Sequence, residues 1–132
     1  MQLHDRNPAF YLNKFKLFGV IVIAVCVGTI PITFSHFTHP QMIYHILLHV
    51  ASLTIAIFLS YIAVTAYSRD GRARLLFMSF GFITLAILEA LLLLTATGNL
   101  DIPIIPTVNV ELSHLILLVM TTLFGIGVLK VT

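Results

Sequence analysis

Four apolar stretches, each long enough to cross a bilayer, leave this chain few ways to fold. They cover about 15–34, 42–67, 75–97 and 109–129 of its 132 residues. Inside them only Lys16 at one edge, Glu89 and Glu111 carry charge. A helix rises 1.5 Å per residue, so about 20 apolar residues cross roughly 30 Å of hydrocarbon. Charged residues make up 9% of the chain and hydrophobic ones 59%. A soluble domain carries roughly 25% charged residues, and this chain has too little polar side chain to cover a water-facing surface. The expected fold is all-α: one integral membrane domain over residues 1–132, an antiparallel bundle of four transmembrane helices.

The first apolar run, LFGVIVIAVCVGTIPITF at 17–34, follows Lys14 and Lys16 and so resembles the basic start of a signal peptide. No small-x-small site follows it, and the run is longer than a signal core of about 7–15 residues. It is therefore expected to remain as a span. Pro31 falls near its far end, where a break costs least.

The connections orient the bundle. SRDGRAR at 68–74 reads as a short polar turn broken at Gly71, and GNLDIPIIPTVN at 98–109 as a longer one stiffened by Pro103 and Pro106. Four spans place Arg6, Lys14, Lys16, Arg69, Arg72, Arg74 and Lys130, all seven Lys and Arg residues, on one side. The positive-inside bias makes that side cytoplasmic, so both termini are expected there in a multi-pass protein of the cell membrane. The arginine turn also suits contact with anionic lipid.

Cys26 is the single cysteine, which excludes an intrachain disulfide and a cysteine metal cluster. Trp is absent, leaving Tyr, Lys, Arg and His as interfacial anchors.

Histidines are concentrated unevenly. HFTHPQMIYHILLH at 36–49 holds four of the six. His36 and His39 fall in the outer loop, and Pro40 suits the first turn of the second span. His45 and His49 share a helix face that Ser52 and Ala56 continue inward. Asn109 is a candidate cap for the fourth span, where Glu111 and His114 share a face. Further along, Thr121 or Thr122 and Gly125 suit contact with neighbouring helices. Glu89 is the charged residue of the third span, about 12 Å from its outer end, with Gly81 and Leu85 on the same face.

Depth relates these positions. His49, Glu89 and His114 fall at similar depth in the outer half, with His45 and Glu111 about one turn nearer the exterior and His36 and His39 as a rim. A polar pocket open to the outside is expected. Imidazole suits zinc, copper, iron and nickel, and a carboxylate extends the choice toward iron or zinc. The metal candidates are His45, His49, Glu89, Glu111 and His114, with His36 and His39 peripheral. Alternatively, His49 and His114 bind a haem b iron axially. A His2Glu zinc site with water would suit a small membrane hydrolase. Equally, the same residues form a cofactor-free hydrogen-bonded network that only joins helices, with Glu89 protonated or paired to histidine. Glu111-x-x-His114 has di-iron spacing but occurs once, whereas such bundles use it twice.

Other chemistry finds no pattern. There is no Walker A, dinucleotide fingerprint, HExxH or CxxCH motif. Nucleic-acid binding is not expected. No matched inverted repeat suggests a transporter. With little loop surface, the chain suits the lipid bilayer and a larger assembly, with other integral membrane subunits or copies of itself, in which the His/Glu site supports redox chemistry.

The segment SYIAVTAYSRDGRARLLFMSFGFITLAILEALLL at 60–93 carries a Tyr-Ser-Arg-x-Gly-x-x-Arg turn joined to a long span containing Gly and Glu. It resembles small uncharacterised archaeal four-helix membrane proteins. A further similarity, to accessory subunits of membrane monooxygenases, implies membership of a membrane complex. No residue matches an active-site motif of that class, so the similarity implies no chemistry.

Overall fold

The computed structural model describes residues 14–34, 40–101, 104–105 and 110–129. His36, His39, Asn109, Pro103, Pro106, Arg6 and Lys130 lie outside the described residues. Four helices make up nearly all of what is described: α1 Lys14–Thr33, α2 Pro40–Asp70, α3 Ala73–Ala96 and α4 Leu112–Leu129. All four are long and apolar enough to cross a membrane.

The ends of α2 follow from its sequence. Proline opens it, where no intrahelical N–H is required. Ser68, Arg69 and Asp70 extend it beyond the expected end at 67. Arg69 in the last turn faces the negative end of the helix dipole. The expected seven-residue turn at 68–74 thus contracts to Gly71 and Arg72. Gly71 takes φ +64° and its N–H bonds Tyr67 O at 2.8 Å. That left-handed step is what glycine permits without steric cost. α3 ends the same way: Gly98 has φ +66°, and the Asn99 N–H closes back on Leu94 O at 2.9 Å.

Two short strands lie between α3 and α4. Ile104–Ile105 (β1) pairs antiparallel with Val110–Glu111 (β2), Ile104 opposite Glu111. This ladder was not expected. β-branched Ile and Val favour extended backbone, and the pairing holds 110–111 out of the helix. α4 therefore starts at Leu112 instead of 109, and Glu111 belongs to a strand.

α3 is the central element, packed against both α2 and α4, while α1 leans on α2 alone among the principal contacts. Small side chains set the closest approaches. Ala56 is fully buried, and Ser79 nearly so. A Cβ on Gly81 would sit 2.7 Å from the Phe124 ring, and one on Gly127 would sit 3.3 Å from Met78 Cγ. Phe124 also meets Phe82 edge-on at 5.1 Å. The expected helix-facing role of Thr121, Thr122 and Gly125 is not what forms: all three are exposed. Phe124 and Gly127 take the contact with α3, because a glycine opposite an aromatic ring lets two backbones close up.

Outward faces stay apolar. Ile23, Val27, Leu48 and Leu118 are each more than 60% exposed. Such a surface suits hydrocarbon, in which backbone groups must be satisfied internally. The hydroxyls comply. Thr54, Ser60, Ser79, Thr84 and Thr122 each donate to the carbonyl four residues back.

Candidate functional site

A half-buried ionisable pair joins α2 to α3. Successive turns of α2 bring His45, His49, Ser52 and Ala56 to one face. Ala56 lets α3 come close. Across the gap, His49 Nδ1 lies 2.9 Å from Glu89 Oε2. Ser52 Oγ–H donates to Glu89 Oε1, also at 2.9 Å. The His49 and Glu89 side chains are 14% and 15% exposed. With Nδ1 as the donor, both oxygens of an ionised Glu89 are served by α2. A carboxylate in a spanning segment is expensive unless it is paired and hydrogen-bonded, and here two α2 side chains meet that need.

His45 completes the cluster. Its ring meets the His49 ring edge-to-face, with centroids 4.7 Å apart and planes at 89°. Its side chain is exposed. Among the described residues no hydrogen-bond partner is found for either nitrogen of His45, or for Nε2 of His49.

His114 and Glu111 stand apart. Their closest approach is 3.9 Å, with side chains 68% and 57% exposed. Ser113 donates to Glu111 Oε2 at 3.2 Å. His114 lies beside Leu88 and Leu92 of α3, over a shallow hollow of about 220 Å3. No hydrogen bond or ion pair links it to His49 or Glu89. The expected convergence of His49, Glu89 and His114 therefore does not form; the first two meet and the third does not. The physical reason is the rotation of α4, which Phe124 and Gly127 fix against α3.

This separation bears on the cofactors considered. Among the described residues, no three His, Cys, Asp or Glu side chains gather where they would hold one metal ion. The five-residue set of His45, His49, Glu89, Glu111 and His114 divides into two groups. The His2Glu zinc arrangement lacks its third member. For an axial haem pair, His49 has Nδ1 engaged by Glu89, while the His114 side chain is 68% exposed and has no bond to either. His36 and His39 lie outside the described residues.

Ser52 lies on the inward face expected from the sequence, and its bond to Glu89 is what the structure adds. The three-residue step from His49 was the available signal. It gave no sign of a cavity of about 170 Å3 between α1 and α2, lined by Cys26, Thr29, Thr33, Ile43 and Ile46 among others. The Thr29 and Thr33 hydroxyls there bond back to Val25 O and Thr29 O, so the walls are apolar in effect. Set against known protein families, curated proteins and solved structures, the chain shows no match.

Proposed function

We propose that this chain is a structural or assembly subunit of the cell membrane, in which Glu89 of α3 locks onto His49 and Ser52 of α2. The observation that carries the reading is the complete use of the Glu89 carboxylate by one neighbouring helix. In hydrocarbon, a polar bond between helices has no water to compete with it, so it fixes their rotation. The locked pair then presents apolar outer faces to lipid or to partner helices.

In this reading the helices run antiparallel and both termini are cytoplasmic. Contacts between opposite ends of successive helices support the first point: Phe18 meets Phe58 at a centroid distance of 5.2 Å, and Gly81 and Gly127 of α3 and α4 meet Phe124 and Met78 respectively. One-sided Lys and Arg support the second. Partners are other integral membrane subunits or further copies of the chain.

The test is chemical cross-linking in intact membranes, followed by native mass measurement after gentle extraction. A species larger than the 14.6 kDa monomer is expected. A monomer under both conditions would reject the assembly role. Unchanged resistance to unfolding in Glu89→Ala would reject the lock.

A further inference from the structure

The two imidazoles at the exposed edge of the lock have their own chemistry. We propose that His45 and His49 bind one late first-row divalent cation, with Glu89 as the carboxylate that positions His49. This goes beyond the structural reading, since the lock needs no ion.

Three observations carry the proposal. First, histidines four apart on a helix face the same way, and here their ring centroids are 4.7 Å apart. Second, the His49 Nδ1 contact with Glu89 Oε2 at 2.9 Å settles which nitrogen is left. With Nδ1–H donating to the carboxylate, Nε2 keeps its lone pair for a cation. A ligating histidine ordinarily makes this second bond, which fixes its tautomer and raises its basicity. Third, neither nitrogen of His45 has a hydrogen-bond partner among the described residues, and its side chain is exposed. Rotation about the broad terminal χ2 torsion turns one nitrogen from the edge-on geometry toward His49.

The donor set also defines the ion. Both Glu89 oxygens are engaged by His49 and Ser52, so the carboxylate orients and does not ligate. No third His, Cys, Asp or Glu joins among the described residues. The ion therefore has two imidazole ligands and completes its shell with water admitted at the nearby end of α2, whose first turn starts at Pro40. Imidazole donors favour zinc, copper or nickel over magnesium or calcium.

The probe is Zn2+, titrated calorimetrically into tag-free protein in lipid nanodiscs. The background carries alanine at positions 4, 36, 39 and 114, so that only the paired histidines remain. One Zn2+ per chain is expected. His45→Ala and His49→Ala should each abolish saturable binding, and Glu89→Gln should weaken it about 10- to 100-fold. His45 is exposed, so its replacement leaves the fold intact and decides the question even if Glu89→Gln fails to fold. No saturable binding in the background, or undiminished binding in His45→Ala, overturns the site. Unchanged affinity in a folded Glu89→Gln overturns the positioning role. Loss of Zn2+ binding in His45→Ala leaves the metal-free stability of the His49–Glu89 lock, measured separately, unaffected.

Discussion

His49 and Glu89 are 40 residues apart in the chain, and their side chains meet at 2.9 Å. Ser52 holds the other carboxylate oxygen, so neither oxygen faces hydrocarbon alone. A double-mutant cycle of His49→Ala and Glu89→Ala should give a coupling of about 1 kcal/mol. Interhelical bonds in membranes measure roughly 0.6 kcal/mol on average and reach about 1.7. Reversible unfolding in bicelles reads it. Additive effects of the two substitutions would show that the bond stabilises nothing.

Gly81 should not tolerate a methyl group. Its Cβ would lie 2.7 Å from the Phe124 ring, which Phe82 confines. Gly81→Ala is expected to cost about 1–3 kcal/mol, the usual range for overpacking. Adding Phe124→Leu should restore part of the loss. Gly125→Ala, where nothing lies within 4 Å of the new carbon, is the matched control. Equal stability of Gly81→Ala and the control would contradict the close approach.

Exposed His114 and Glu111 should matter little to stability. At 3.9 Å and more than half exposed, the pair is a surface interaction. His114→Ala and Glu111→Gln should each shift unfolding by less than about 0.5 kcal/mol. A loss of 2 kcal/mol or more, on the scale of a buried network, would mean that His114 reaches the interior after all.

With His49 bonded to Glu89 and His114 exposed beside Glu111, the purified protein should show no bis-histidine haem. The measurement is a reduced-minus-oxidised optical spectrum of protein expressed with ample haem. A Soret band that disappears on His114→Ala would refute the arrangement of α4.

Topology can be read with a single thiol. In a Cys26→Ser background, Arg72→Cys should label only from the cytoplasmic face and Asp101→Cys only from outside. Both residues are exposed in the connections. Labelling of Arg72→Cys from outside would invert the orientation.

The sequence by itself determined the four helices, since runs of this length and composition have few alternatives. It also placed His49, Glu89 and His114 at similar depth, because helix rise fixes depth, and a spanning carboxylate needs a partner; that the partner is His49 and not His114 came from the structure. Ser52 and Ala56 lay on the same predicted face, and the structure uses both. Rotation of the helices about their axes was decided only by tertiary structure. A soluble helix declares its inner face through an apolar stripe. These helices are apolar all round, so depth could be read and direction could not. His114 shows the consequence: similar in expected depth to Glu89, it is turned aside by the packing of Phe124 and Gly127 on α3. The start of α4 was hidden for a related reason. Val110 and Glu111 suit a helix by position, and only their pairing with Ile104 and Ile105 holds them extended.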